Sequence, residues 1–327
     1  MQPIVIIPTY NERDNLERLV DAVLAVEPAL HVLVIDDNSP DGTGELADAI
    51  ALASSGRVHV LHRAGKMGLG TAYVAGFRYA LARNYTHIVE MDADFSHRPE
   101  DLPRLLEATA SADVVIGSRN VPGGRAENWS LLRHVISKGG SLYARTILGL
   151  SIRDCTGGFK CFSSSALASL PLHQVTSNGY GFQVEMNYLC HRAGFQIVEV
   201  PIVFPDRKVG QSKMSRNIIL EAMLLVWKLR LRRDQVMLPA PISLVQKRAQ
   251  AGASSFIEGD RSLRGSEPAS RHPHGVNAAL MQKPSKDPNW IRESPPYAAI
   301  PATPAYLKSM PFMPIGAEKR ELARDCE

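Results

Sequence analysis

The run His87-Ile88-Val89-Glu90-Met91 leads directly into Asp92-Ala93-Asp94-Phe95-Ser96. Its first half is short, largely apolar and β-branched, as a buried strand should be. Its second half places two carboxylates at positions i and i+2 as the chain leaves that strand, where alternate residues share a face. Two hard oxygen donors held together suit Mg²⁺ or Mn²⁺, with substrate phosphates and water filling the other positions. A lone D-x-D is frequent by chance. One that follows a buried strand gains weight from its neighbours, so the surrounding chain decides the matter.

Upstream, strand-like and helix-like segments alternate. Ile4–Ile7 is a continuous β-branched run, and Leu16, Leu19, Val20, Val23 and Leu24 then recur at helical spacing before Pro28. Val32–Ile35 and Val58–Leu61 predict a second and third strand. Weaker helical patterns run from Asp41 to Leu52 and from Thr71 to Arg83. After the D-x-D, Pro99 opens a helix to about Ala110, and Val114–Ile116 is a fifth strand. This βαβα order predicts an α/β fold with a mostly parallel central sheet and helices on both faces. Ligands of such sheets bind beyond the carboxyl ends of the strands.

The other strand ends also carry polar motifs. The first ends in Pro8-Thr9-Tyr10-Asn11-Glu12, where Pro8 is expected to stop the ladder and Tyr10 can stack on a base or ribose. The plain alternative is a turn with Asn11 as helix N-cap. The second ends in Asp36-Asp37-Asn38-Ser39-Pro40-Asp41-Gly42-Thr43. Adjacent carboxylates there alternate faces, so that one can enter a site while the other braces the turn. The third leads to Lys66-Met67-Gly68-Leu69-Gly70-Thr71, whose glycines could let backbone N–H groups approach an anion. A loose turn before a helix explains them equally well. His97 is expected to be a loop residue rather than a catalyst.

Composition bounds the rest. The chain has 327 residues, 45% hydrophobic and 21% charged, with a net charge of +4. That excludes fibrous and wholly disordered classes and is too small for a dedicated nucleic-acid binder. Cys155, Cys161, Cys190 and Cys326 form no C-x2-C pair, so a zinc ribbon is not expected and reduced thiols are. Twelve of the 22 prolines fall within residues 239–327, which show no sustained apolar period. Residues 1–237 are therefore expected to form one catalytic domain and 238–327 a disordered tail. No stretch is long and apolar enough to predict a membrane span. Between Ser215 and Arg233, Ile218, Ile219, Ala222, Met223, Val226 and Leu229 recur at helical spacing, widened by Leu225 and Trp227. Lys228, Arg230, Arg232 and Arg233 crowd the end of that stripe. A basic amphipathic helix of this kind reads as a membrane-surface element or as a core-packing helix.

The three strand-end motifs together resemble glycosyltransferase family 2, of the nucleotide-diphospho-sugar transferase (GT-A) fold. Gly117-Ser118-Arg119, Arg133–Gly139, Asp154–Lys160, Gly179–Glu185 and Phe204–Lys213 follow in order. With them the chain resembles the dolichol-phosphate (polyprenol-phosphate) mannose synthases over about Pro3 to Arg233. The resemblance implies that Pro8, Tyr10, Glu12, Ile35 and Asp37 hold the guanosine end of GDP-mannose, a contact continued by Ala93 and Asp94. Asp92, Asp94 and Ser96 would surround Mg²⁺ or Mn²⁺, with Ser96 standing where some members have Gln. Arg119, Arg133, Arg207 and Lys213 would neutralise donor or acceptor phosphates. Asp94, Arg119, Arg207 and Lys213 are thus the candidate catalytic set. The implied acceptor is dolichyl or polyprenyl phosphate, used at the cytosolic face of a membrane, with a membrane-anchoring protein as a further candidate partner and no nucleic acid. The same chemistry with UDP-glucose or another donor is one rival. A non-catalytic nucleotide or lipid-phosphate binding module is a second.

Overall fold

The computed structural model describes residues 1–206 and 216–231, without the side chains of 216–221. Arg207, Lys213, Arg232, Arg233, Cys326 and the tail expected over 238–327 lie outside the described residues. The chain divides into two compact units, Met1–Arg261 and Ser262–Glu327, and every described residue belongs to the first.

The predicted alternation is observed. Strands β1 (Pro3–Thr9), β2 (His31–Asp36), β3 (Val58–His62) and β4 (His87–Glu90) alternate with helices α1 (Arg13–Val26), α2 (Thr43–Ala53) and α3 (Leu69–Ala82). The helix expected from Pro99 to about Ala110 is a single 3₁₀ turn, Pro99–Asp101, followed by α4 (Leu102–Ala108). Then come β5 (Val114–Ser118), the short β6 (Arg125–Ala126), α5 (Leu131–Leu148), β7 (Lys160–Ser163), α6 (Ser164–Ser169), α7 (Gly179–Arg192), β8 (Ile197–Pro201), β9 (Val203–Phe204) and α8 (Arg216–Leu231). Seven strands form one sheet in the order β3-β2-β1-β4-β7-β5-β8. All neighbours are parallel except β7, which runs antiparallel between β4 and β5. A small second sheet pairs β6 with β9.

Side-chain alternation along the strands divides the core in two. Ile4, Ile6, Leu33, Ile35 and Ile88 face one side with Tyr73, Phe77, Phe182, Val226 and Leu229 from α3, α7 and α8. Val5, Ile7, Val32, Val34 and Val89 face the other with Leu16, Leu19, Val20, Ala47 and Leu105 from α1, α2 and α4. Burial on both faces explains why these strands read as unbroken apolar runs rather than alternating ones.

Pro8 does not stop the ladder. It pairs with Ile35, and β1 continues to Thr9. The Ile6 carbonyl, on the side facing β4, accepts from Met91 N–H, while the Thr9 carbonyl, facing β2, accepts from Asp37 N–H. By alternation Pro8 faces the β4 side, where pairing with β4 has ended at Glu90. Its missing N–H therefore costs no ladder bond.

Helix α8 meets the core-packing alternative only in part: Val226 and Leu229 of the predicted stripe are buried in the first core, while Met223 of the same stripe is 41% exposed. A second apolar face stays open, with Leu224 63%, Trp227 51% and Leu231 78% exposed. Among the described residues no helix is long and apolar enough to cross a membrane.

Candidate active site

The polar motifs lie along one edge of the sheet, beyond the carboxyl ends of β3, β2, β1, β4 and β5. The two carboxylates after β2 divide their work as alternation requires. Asp36 braces the turn: its oxygens accept from the Ser39 hydroxyl at 2.6 Å and the Ser39 N–H at 3.1 Å. Asp37 points the other way, accepting from Met67 N–H at 3.2 Å with Arg63 Nε 3.1 Å from its second oxygen. Burial raises the Asp37 pKa, against the pull of Arg63. Arg63 is itself buried, with Nη1 unpartnered. Its place directly after β3 was the only available sequence signal for it.

Tyr10 lies under the Lys66 ammonium, 4.1 Å from the ring centroid. Glu12, not Asn11, is the N-cap of α1, and Asn11 takes a positive φ of 60° in the turn. The Glu12 carboxylate accepts from the Asn15 amide at 3.0 Å. Ile35 and Ala93 are buried in the core, which leaves only their main chain for any ligand. The glycines of 66–71 serve packing rather than an open anion cradle. A Cβ on Gly70 would sit 2.3 Å from the Ser177 carbonyl oxygen, and one on Gly68 2.5 Å from Asn178 Oδ1.

At the centre stands the D-x-D, in the turn after β4. Asp94 is 9% exposed and accepts from Ser96 N–H at 3.0 Å. Asp92 is more open and accepts from the buried Tyr73 hydroxyl at 3.3 Å. Ser96 Oγ is buried with no partner. Two carboxylates and an unsatisfied hydroxyl are a hard oxygen set that fits a divalent cation. Among the described residues no third His, Cys, Asp or Glu joins them. The set therefore suits a cation that takes its remaining ligands from substrate and water.

His97 lies in the loop after β4, as expected, but it is buried there. It is 1% exposed, stacks on Phe159 at 4.9 Å and meets Phe204 edge-on at 5.5 Å. Its Nδ1 accepts the backbone N–H of Asp92 at 3.0 Å. That places the ring proton of the neutral form on Nε2, 4.0 Å from Asp92 Oδ2. Burial lowers its pKa, and a neutral His97 acts as a strut for Asp92.

Beneath the D-x-D lies a buried polar layer whose pairing has no signature along the chain. Glu90 and Lys160 are cross-strand partners of β4 and β7, both fully buried, with Nζ 3.9 Å from Oε2. Lys160 also donates to Gln183 Oε1. Burial pushes Glu90 up to about 7 against the opposing effect of Lys160, and lowers the lysine. Nothing in their spacing announces this pair, because the chain meets itself here only after β7 inserts into the sheet.

The cations lie on the far flank, after β5. Arg119 is 8% exposed and donates through Nε and Nη2 to Asp154, and through Nη2 also to Thr156 Oγ1 at 3.0 Å. It is thus already engaged in a buried ion pair, which qualifies the expectation that it serves phosphates alone. Arg133, on α5, donates to Asp206 and stacks over Trp129 at 4.1 Å. A pocket of about 110 Å³ opens beside them, lined by Arg119, Arg125, Trp129, His134, Ser137 and Lys138 among others.

Residues 4–170 match the family described as Glycosyl transferase family 2. Over 235 residues the chain is 51% identical to the polyprenol monophosphomannose synthase of Mycolicibacterium smegmatis, covering 71% of this chain and 89% of that relative. It is 52% identical over 222 residues to the undecaprenyl-phosphate mannosyltransferase of Micrococcus luteus, covering 68% and 91%. It is 37% identical over 234 residues to the dolichol-phosphate mannosyltransferase of Pyrococcus furiosus, covering 70% and 64%. Among solved structures, the glucosyl-3-phosphoglycerate synthase of Mycobacterium tuberculosis, in complex with Mg²⁺ and UDP, superposes with a TM-score of 0.50 at 18% identity. That match covers 70% of this chain and 79% of the other, and it is a likeness of fold.

Proposed function

The chain belongs to glycosyltransferase family 2 and, within it, to the polyprenol-phosphate mannose synthases, and from that premise we propose that it transfers mannose from GDP-mannose to a polyprenyl phosphate. The observation that carries the proposal is the arrangement along one sheet edge. Asp92, Asp94 and Ser96, after β4, lie between an acid-and-aromatic flank of Tyr10 and Asp37 and a cationic flank of Arg119 and Arg133.

In this reading Pro8, Tyr10, Glu12, Asp37 and the main chain of Ile35 and Ala93 hold the nucleoside. Asp92, Asp94 and Ser96 hold Mg²⁺ or Mn²⁺. When bound, that cation neutralises the diphosphate as negative charge develops on it. Arg133 and the pocket beside Lys138 and Ser137 receive the acceptor phosphate, helped by Arg207 and Lys213. Arg119, neutralised by Asp154, fixes the end of β5 beside that flank. The nucleophile belongs to the acceptor. A phosphate monoester has its second pKa near about 6, so it is largely dianionic at neutral pH and needs no general base. One phosphate oxygen forms the new bond to C1 of mannose, and the C1–O bond to GDP breaks with its electron pair leaving on the diphosphate. In-line attack inverts the α-linked donor to a β-mannosyl phospholipid. The neutral, buried His97 holds Asp92 and moves no proton in this scheme.

An acceptor anchored in a bilayer must be met at headgroup level. Helix α5 supports peripheral docking on a membrane surface. Leu131, Val135 and Leu142 fall on one stripe with Lys138 and Arg145, and these three apolar residues are 81%, 60% and 61% exposed. Tyr143 on α5 donates to the Met223 carbonyl of α8 at 3.2 Å, so the two open apolar faces belong to neighbouring helices.

Incubating the full chain with radiolabelled GDP-mannose, Mg²⁺ and a polyprenyl phosphate, followed by lipid extraction, tests the proposal. Label is expected in an acid-labile lipid. GDP binding without labelled lipid would leave the binding-module rival standing, and preferential labelling from UDP-glucose would change the donor.

A further inference from the structure

Helix α3 starts in the glycine-containing run after β3, and its first turns bring Tyr73 up against the D-x-D. The Tyr73 side chain is fully buried. Among the described residues its hydroxyl makes one hydrogen bond, donated to Asp92 Oδ1 at 3.3 Å. We infer that Tyr73 is a positioning residue of the donor site, fixing the Asp92 carboxylate in the orientation in which it shares a divalent cation with Asp94. The inference rests on the cation assignment made above and adds to it a residue that touches neither cation nor substrate.

The ring is held so that its hydroxyl has little choice of direction. It lies nearly parallel to the ring of Phe182 on α7, with centroids 5.7 Å apart and 10° between the planes. It also packs on Phe77 at 6.3 Å, and Phe77 meets Phe182 at 6.5 Å, so three rings close one cluster between α3 and α7. Gly70 stands three residues before Tyr73, on the same face of α3. A Cβ there would lie 2.3 Å from the Ser177 carbonyl oxygen and 2.9 Å from Phe182 Cδ2. The glycine thus admits the close approach of α3 to α7 that sets the depth of Tyr73. Just before the helix, Met67 N–H donates to Asp37 at 3.2 Å. One short stretch of chain therefore braces a carboxylate on the nucleoside side and another at the D-x-D.

The chemistry of the donor matters as much as its place. The Asp92 side chain is 30% exposed, so one side of it faces open space and only the other meets Tyr73. Its backbone N–H is fixed separately, by His97 Nδ1 at 3.0 Å. Burial and the surrounding carboxylates raise the Tyr73 pKa, so the hydroxyl keeps its proton and stays a donor. A neutral donor orients a carboxylate without cancelling the negative charge that a cation needs. Asp154 shows the opposite arrangement: Arg119 grips it through two bonds and neutralises it. Hydrogen-bonded partners of this outer kind are how metal-ligating carboxylates are commonly held in place.

Tyr73→Phe in the full chain removes the hydroxyl and keeps the ring. Binding of Mn²⁺ is followed directly by loss of the free-ion EPR signal, with the protein alone and with GDP. Tm, GDP affinity in EDTA and transfer across a Mn²⁺ series are measured alongside. Mn²⁺ affinity is expected to fall about 10- to 100-fold, with the Mn²⁺ concentration for half-maximal transfer rising in step. Saturating Mn²⁺ should return most of the kcat. Tm should change little, because Asp92 Oδ1 can turn to water, and GDP affinity without metal should stay within about twofold. A merely structural role would lower Tm and kcat and leave the metal dependence where it was. Mn²⁺ affinity within about twofold of the parent, or a loss of kcat that no Mn²⁺ restores, would overturn the inference. If the parent binds no Mn²⁺ at all, the cation assignment fails and the role of Tyr73 with it. If the parent binds Mn²⁺, the variant binds it weakly and neither yields a mannosyl lipid, the transfer reading fails and the Tyr73 assignment stands.

Discussion

Arg119 and Asp154 face each other as a two-pronged ion pair, Nε to Oδ2 at 2.8 Å and Nη2 to Oδ1 at 2.7 Å, both side chains buried. Burial opposes both charges, yet the Arg119 guanidinium holds the Asp154 carboxyl below its usual range. The Arg119 backbone N–H donates to the same carboxylate at 2.9 Å, which ties the end of β5 to the loop before β7. Removing one partner leaves the other charge buried and alone. Asp154→Asn should cost about 3–5 kcal/mol, read as a fall in Tm of roughly 10 °C, and should abolish transfer. Arg119→Met combined with Asp154→Leu should recover much of the stability and none of the turnover.

Asp94→Ala removes an oxygen donor while leaving both cores untouched. Transfer should fall by about 10²–10³-fold or more, with Tm little changed. Turnover measured across a Mg²⁺ series will show whether added metal rescues it. Near-normal turnover would sink the assignment of Asp94 to the cation.

His97 can be divided into its two roles. His97→Phe keeps a ring on Phe159 but strips Asp92 N–H of its acceptor, an omission worth about 1–3 kcal/mol. His97→Asn keeps an acceptor near Nδ1 and loses the stack. If the strut works through the hydrogen bond, the Asn variant should retain more kcat than the Phe variant at matched Tm.

At the opposite edge of the sheet the Tyr85 hydroxyl lies 2.9 Å from His31 Nδ1 and 3.0 Å from His59 Nε2. Burial lowers both imidazoles, helped by Arg57 at His31 and by His31 and Arg83 at His59. A folded-state pKa below the unfolded value means that the unfolded chain takes up the proton more readily. Stability is therefore full above about pH 6.5 and declines as the pH falls toward the folded-state values. Tm measured from pH 7 to 5 should drop, and His31→Gln with His59→Gln should make the slope shallower. The slope that remains would come from His87 and His97, which burial also lowers.

Replacing Leu224, Trp227 and Leu231 with Gln should weaken co-sedimentation with liposomes at any salt concentration. Replacing Lys228, Arg230, Arg232 and Arg233 with Gln should weaken it only with anionic lipid and mostly at low salt, at about 1 kcal/mol per residue. GDP-mannose binding should survive both changes. Variants that pellet like the parent would exclude α8 as the anchor.

The α/β alternation, the buried parallel strands and the position of the D-x-D were legible in the chain because each depends on local periodicity and on what ends a strand. The division of labour between Asp36 and Asp37 also follows from alternation alone. Pro8 misled because whether a missing N–H matters depends on which neighbour it faces. The role of Gly68 and Gly70 stayed open in the sequence because the groups they approach, the Asn178 side chain and the Ser177 carbonyl, lie more than a hundred residues away.

By itself, then, the sequence determined which elements form and which residues end at the carboxyl edge, since period and side-chain chemistry are properties of neighbours along the chain. Only the tertiary structure decided which charges are free to meet a ligand. It paired Arg119 with Asp154, sank Glu90 and Lys160 beneath the D-x-D, turned His97 inward, and left a second face of α8 uncovered. The reason is physical: burial and pairing depend on segments remote in sequence, brought together by the insertion of β7 and the packing of α5, α7 and α8.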